Sequence, residues 1–110
     1  MTKYVYIAGS YSADTTEGVE ENVRRAIDVA NVLISYGFGV FCPHLSHYLH
    51  ERFPRDWDEW LRHDMLWLDR CDILLRIPGE SRGADIEEQH AKEHGMDIYH
   101  HIKDLVGEHA

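Results

Sequence analysis

The sequence has 110 residues, of which 44% are hydrophobic and 28% charged, a balance typical of one globular domain spanning residues 1–110 rather than of a disordered chain. Eleven Lys and Arg against 20 Asp and Glu give a net charge of −9, which disfavours binding to nucleic-acid polymers and to anionic membranes. No apolar run approaches the ~20 residues that cross a bilayer and no signal-peptide pattern follows Met1, so we expect a soluble, cytoplasmic protein.

The apolar pattern predicts strands that alternate with helices. Short β-rich runs predict strands at 4–8, 38–42, 72–77 and 97–99. Apolar residues at helical spacing predict helices from Val19 to the stop at Gly37, over 57–68 and over 83–94, and a terminal helix follows the last strand. Such alternation is typical of a parallel sheet with helices on both faces.

Ligands of such sheets bind beyond the carboxyl ends of the strands, which places the loops after Ala8, Cys42 and Ile77 around one crevice. The loop Gly9-Ser10-Tyr11-Ser12 combines a glycine, which lets a ligand approach the backbone, with two hydroxyls that can donate to phosphate or sugar oxygens. It matches neither G-x-G-x-x-G nor the Walker A pattern, so it does not indicate classical dinucleotide or P-loop binding. An ordinary turn of small polar residues is the alternative.

Asp64 lies within an apolar helical stripe. On a helical wheel the stripe consists of Trp57, Trp60, Leu61, Trp67 and Leu68. A carboxylate in that position loses hydration, which costs several kcal/mol unless it is paired or protonated, and such groups are concentrated at functional sites. The alternative is a structural aspartate that caps a loop or pairs with Arg62 or Arg70.

Glu87 is the second candidate carboxylate. We expect it near the start of the helix over 83–94, on one side with Ala84 and Ala91, where the helix N-terminus favours its ionised form. Glu88 is expected to point into solvent. One desolvated, protonated carboxyl group and one ionised carboxylate form the arrangement that glycosyl transfer requires, although other acid–base reactions use the same groups.

Three histidines, His44, His47 and His50, follow the second strand at a spacing of three, a pattern found in metal sites. Because no H-E-x-x-H motif or cysteine partner accompanies them, we favour His44 and His47 as lining of the crevice and His50 as exposed, over a metal-dependent hydrolase. Cys42 and Cys71 close two apolar runs without C-x-x-C spacing and are expected to be buried thiols. We therefore predict no metal ion and no cofactor.

Together these residues resemble the nucleoside 2-deoxyribosyltransferase-like superfamily, particularly its short bacterial and phage members. The resemblance covers nearly the whole chain, and the order and spacing of its parts are more specific than any one of them. In chain order the matching parts are Tyr6-Ile7-Ala8-Gly9-Ser10-Tyr11-Ser12, Asn22 with Ala26 and Ala30, Gly37-Phe38-x-Val40-x-x-Pro43, Asp64-x-x-x-Leu68-x-x-Cys71-Asp72 and Ser81-x-Gly83-x-x-x-Glu87.

The resemblance implies a flavodoxin- or Rossmann-like three-layer α/β sandwich with a small parallel sheet of four to five strands. It also implies an enzyme, a deoxyribosyltransferase or N-glycoside hydrolase, that acts on deoxynucleosides or their 5′-monophosphates. In that enzyme Glu87 would be the nucleophile, Asp64 would handle the proton of the departing base and Tyr6 would orient Glu87. Substrate would be bound by Gly9, Ser10, Ser12, His44, Ser81, Arg82 and Gly83.

The sequence departs from the family in two places. Ser12 stands where the monophosphate hydrolases carry an arginine, and Arg82, beside Ser81 at a helix start, is the candidate substitute that favours the monophosphate. The chain is also shorter than the characterised enzymes, whose active sites borrow residues from a neighbouring subunit, so we expect a homo-oligomer. The alternative function is a non-catalytic module that senses a nucleotide in the same crevice.

Overall fold

Four parallel strands form the centre of the fold in the computed structural model, which describes residues 2–109. The strands are β1 Tyr4–Ala8, β2 Gly39–Phe41, β3 Ile73–Arg76 and β4 Asp97–Tyr99. Their spatial order, β2-β1-β3-β4, is that of the first four strands of flavodoxin-like folds. The predicted α/β class and the four predicted strands are therefore confirmed.

Five helices connect and cover these strands within the described range. They are α1 Thr16–Ser35, α2 His47–Arg52, α3 Trp57–Leu68, α4 Arg82–Glu93 and α5 Ile102–His109. The predicted helices correspond to α1, α3, α4 and α5, whereas α2 and the 3₁₀ turn Pro43–Ser46 before it were not predicted. A helix of six residues has fewer than two turns, so no repeating apolar face marks it in the sequence.

The helices lie on both faces of the sheet, which gives three layers. Alternation along β1 directs Val5 and Ile7 towards a core with α1 and α5, and it directs Tyr6 and Ala8 towards a core with α3 and α4. Both cores are built from fully buried aliphatic side chains and from alanines that let the helices approach the sheet. The candidate site lies next to the second core, because the side chain of Tyr6 extends from the sheet into that core.

The apolar stripe of α3 packs differently from the prediction. Only Leu68 is buried in the core, whereas Trp57 and Trp67 are 41% and 48% exposed. Trp60 and Leu61 are half-buried and border a cavity. Helix α3 therefore contributes its C-terminal end to the core and its N-terminal half to the cavity wall.

The carboxyl ends of β1 and β3 lie side by side, with Ala8 in register with Arg76. Just beyond this edge a Cβ on Gly9 would lie 3.1 Å from Cβ of Ile77, so glycine fits where the chain leaves β1. In residues 2–109 no helix combines the length and the apolar character needed to cross a membrane.

Candidate active site

A cavity of about 250 Å³ opens beyond the carboxyl ends of β1 and β2, and we call it the central cavity. Four parts of the chain form its wall: the loop after β1, the segment after β2, α3 with the residues before it, and α4. Its lining includes Gly9, Tyr11, Ser12, His44, His47, His50, Arg55, Trp57, Trp60, Asp64 and Glu87. Of the predicted site residues, the structure thus brings Gly9, Ser12, His44, Asp64 and Glu87 to one cavity.

Glu87 lies at the point where α4 meets the sheet. It shares the buried face of α4 with Ala84 and Ala91, as the sequence predicts, and only 7% of the residue is exposed. The hydroxyl of Tyr6, which is fully buried on β1, donates a hydrogen bond to Oε2 of Glu87. The small alanines on either side let the helix come close enough to the strand for this contact.

Burial raises the pKa of Glu87 to about 7. The hydrogen bond from Tyr6 and the charge of Arg76 act in the opposite direction, and the charge of Asp64 adds to the increase. The expectation that the helix N-terminus favours the ionised form of Glu87 is therefore wrong. Glu87 lies beyond the first turn of α4, where the helix dipole has little effect, and it is desolvated against the sheet.

Asp64 is half-buried in the wall of the same cavity, and burial raises the pKa of its carboxyl group, as the sequence predicts. Its partner is Nδ1 of the adjacent His63, 3.1 Å from Oδ1, which lowers the pKa in part. The alternative pairing with Arg62 or Arg70 is not found.

The two carboxyl groups influence each other, since a negative charge on one raises the pKa of the other. Both sit in a wall with low access to solvent, so the pair favours a state that holds one proton and one negative charge. The predicted contrast between a protonated Asp64 and an ionised Glu87 is thus one of two arrangements of a pair that holds one proton, rather than a fixed property of each residue.

The three histidines after β2 all belong to the cavity wall. The prediction that His50 is exposed is wrong: Nε1 of Trp60 donates to its Nδ1 at 2.7 Å. His44 is buried, which lowers its pKa, and its Nε2 donates to the backbone oxygen of Ser10 at 3.0 Å. Within the described range, no group of three or more His, Cys, Asp or Glu is placed to hold a metal ion.

Several residues expected at the 5′ end of a substrate lie outside the cavity lining. Ser10 donates to the backbone oxygen of Glu80 at 2.7 Å, and Ser81 caps α4 by accepting from the backbone N–H of Ala84 at 3.1 Å. The guanidinium of Arg82 lies 4.7 Å from the ring centre of Trp57, and Gly83 lies beside the same indole. These four residues therefore lie beside the cavity rather than in its lining.

Glu88 does not point into solvent as expected. It is half-buried, 3.3 Å from Nη1 of Arg76 and 3.0 Å from Nε2 of His100. Arg76 also pairs with Asp85 at 2.7 Å, so the end of β3 is tied to the first two turns of α4. These ion pairs fix the helix that carries Glu87.

Sequence reasoning missed a hydrogen-bonded chain in the cavity wall. Oη of Tyr11 lies 2.7 Å from Nδ1 of His47, and Nε2 of the same ring lies 3.2 Å from Oε1 of Glu51. The i,i+4 spacing of His47 and Glu51 is visible in the sequence, but it becomes a signal only once residues 47–52 are known to be helical.

The strand order defines a flavodoxin-like α/β protein, and its carboxylate-lined cavity lies beyond the strand ends, where ligands of such folds bind. Comparison with protein families refines this. The profile of a domain of unknown function, DUF7768, matches residues 3–101, so the chain belongs to the DUF7768 family. No curated protein matches the chain.

The raised pKa of Glu87 makes a prediction about stability. Because its folded-state pKa of about 7 exceeds the ordinary value of 4.5, Glu87 makes the folded state less stable as pH rises from about 4.5 to 7. Glu87→Gln removes this effect. The unfolding free energy of the variant minus that of wild type should therefore increase between pH 4.5 and pH 8, by an amount on the order of 3 kcal/mol. Urea denaturation at a series of pH values measures the difference.

Glu93→Gln is the matched control, because Glu93 lies on the same helix but is exposed. The difference in unfolding free energy between Glu93→Gln and wild type should stay nearly constant with pH. If the difference in unfolding free energy between Glu87→Gln and wild type were also independent of pH, Glu87 would not be desolvated in the folded protein.

Proposed function

We propose that this protein cleaves or exchanges the N-glycosidic bond of 2′-deoxynucleosides or their 5′-monophosphates through a covalent deoxyribosyl–Glu87 intermediate. The observation that carries the proposal is the buried carboxyl group of Glu87, which accepts from Tyr6 and lies in the same cavity as Asp64. The sequence resemblance assigns the same residues to these roles. The cost of burying two carboxyl groups in one wall supports a chemical role for them.

In the first step the ionised carboxylate of Glu87 attacks C1′ of the sugar. The bond between C1′ and the base nitrogen breaks, and its electron pair leaves with the base, which takes a proton from Asp64. This step starts from Glu87 ionised and Asp64 protonated, one of the two arrangements that a pair with one proton can adopt. The hydrogen bond from Tyr6 favours that arrangement because it stabilises charge on Glu87.

In the second step an acceptor attacks C1′ of the glycosyl ester and gives its proton to Asp64. The bond between C1′ and the Glu87 oxygen breaks, and the electron pair returns to the carboxylate. With water as the acceptor the enzyme is a hydrolase, and with a second base it is a transferase. Trp57 and Trp60 give the cavity aromatic surfaces suited to the flat face of a nucleobase.

The role of Glu87 is tested by release of free base. Wild-type protein is incubated with the four common 2′-deoxynucleosides and their 5′-monophosphates, and the base is separated by chromatography. Glu87→Gln should abolish release from every substrate that the wild type cleaves, because the amide keeps the shape of the side chain but is not nucleophilic. Glu93→Gln should leave release unchanged. Turnover by Glu87→Gln near the wild-type rate would remove Glu87 from the nucleophile role, and ligand binding without base release by wild type would favour the non-catalytic module.

The role of Asp64 is tested by Asp64→Asn. The amide cannot donate a proton as a carboxylic acid does, so we expect kcat to fall by about 10²–10⁴-fold. The melting temperature should be unchanged or higher, since the change relieves a desolvated carboxyl group. Asp58→Asn, on the exposed first turn of α3, is the control. A variant that melts much lower but retains its kcat would indicate a purely structural aspartate.

The hydrogen bond between Tyr6 and Glu87 predicts a change in pH dependence. The reaction uses the state in which the pair holds one proton, and that state is lost when the last proton leaves, so kcat/KM of wild type should fall as pH rises through a midpoint near 7. Tyr6→Phe removes a donor to the carboxylate, so the midpoint should move upwards by about one to two pH units. Tyr4→Phe, on the same strand but exposed, should leave it in place. A lower rate with an unchanged midpoint would show that Tyr6 does not act on the charge of Glu87.

A further inference from the structure

The chain formed by Tyr11, His47 and Glu51 is not used by the reaction proposed above. Tyr11 and His47 line the central cavity, and Glu51 lies one helical turn after His47 on α2. The distances are 2.7 Å between Tyr11 and His47 and 3.2 Å between His47 and Glu51, both within hydrogen-bond range. The side chain of His47 is only 12% exposed, so the chain is held within the wall.

The direction of these hydrogen bonds follows from their chemistry. An ionised carboxylate only accepts, so Nε2 of His47 carries a proton and donates it to Glu51. In the neutral imidazole Nδ1 is then an acceptor, and the hydroxyl of Tyr11 donates to it. The single hydroxyl proton of Tyr11 is therefore used in the hydrogen bond to Nδ1 of His47. The phenol oxygen is left able to accept a hydrogen bond from a ligand but unable to donate one.

The charged side chains around the cavity also bear on the kind of ligand that it accepts. Asp64 and Glu87 line it, and Glu51 lies behind His47. In residues 2–109, Arg55 is the one lysine or arginine of the lining, and its guanidinium already pairs with Glu59 at 2.9 Å. The same guanidinium donates to the backbone oxygen of Phe53 at 3.2 Å. The lining therefore carries two carboxyl groups and one guanidinium that is itself paired, a balance that favours an uncharged ligand over a phosphate.

Resting on the proposed function, we infer that the substrate is an uncharged 2′-deoxynucleoside rather than its 5′-monophosphate, and that Tyr11 accepts a hydrogen bond from a sugar hydroxyl. Glu51 and His47 are positioning residues, since they fix the orientation of the Tyr11 hydroxyl. This inference reverses the sequence-based preference for the monophosphate, because Arg82 lies over Trp57 instead of lining the cavity.

Equilibrium binding separates this inference from catalysis. Calorimetry at pH 8, above the usual titration range of imidazole, is carried out on Glu87→Gln protein so that ligands stay intact. The ligands are the best-bound 2′-deoxynucleoside, its 5′-monophosphate and its two analogues that lack the 3′- or the 5′-hydroxyl. We expect the monophosphate to bind about tenfold more weakly or worse. One analogue should lose about threefold to tenfold in affinity, the usual effect of one hydrogen bond.

Adding Tyr11→Phe tests the contact itself. In that protein the analogue and the parent nucleoside should bind equally, because the acceptor is gone. Adding Glu51→Gln instead should partly reduce the difference in affinity between the parent nucleoside and the analogue, since the amide no longer fixes the proton of His47 on Nε2. The controls are Tyr36→Phe and Glu20→Gln, both exposed and outside the cavity lining. These control variants should keep the full difference in affinity between the parent nucleoside and the analogue.

Two results would overturn the inference and leave the proposed function standing. One is a monophosphate that binds as tightly as the nucleoside. The other is an analogue penalty that persists unchanged in Tyr11→Phe. Absence of binding by every nucleoside and monophosphate, together with no base release by wild type, would overturn the inference and the proposed function alike.

Discussion

The contact between Tyr6 and Glu87 joins the central strand of the sheet to the helix that carries the candidate nucleophile. It requires that alternation along β1 direct Tyr6 towards α4, and that Ala84 and Ala91 let the helix approach. It also places a carboxyl group where burial raises its pKa to about 7, at a cost to stability in neutral solution. A leucine at this position would pack without that cost, and the retention of a carboxyl group here supports the chemical role that we propose for it.

The rest of the wall holds its polar groups in fixed orientations. Trp60 donates to His50, His44 donates to the backbone of Ser10, and Glu51 orients His47. In residues 2–109 no buried side-chain nitrogen or oxygen lacks a hydrogen-bond partner. The donors and acceptors of the cavity are therefore oriented in advance, an arrangement that would lower the entropic cost of binding a ligand.

The sequence predicts the layers, the strands and the shared face of Glu87, Ala84 and Ala91, because these follow from local periodicity. It fails where the decisive neighbour is distant in the chain. The pKa of Glu87 depends on a strand 81 residues away, while the helix-dipole argument considers only α4. Tyr11 and His47 are likewise 36 residues apart, and they meet through a helix too short to leave a periodic signature. Arg82 follows Ser81 in sequence, yet its guanidinium lies on Trp57 outside the cavity lining, and only side-chain packing reveals that.

A covalent bond between Glu87 and the sugar can be detected by trapping the proposed intermediate. Protein that is turning over a 2′-deoxynucleoside is quenched in acid, and its intact mass and proteolytic peptides are measured by mass spectrometry. We expect a fraction of the protein to gain the mass of one deoxyribosyl group, located at Glu87. A deoxyribosyl group on another residue, or active protein that never carries one at any time of quenching, would show that Glu87 is not the nucleophile.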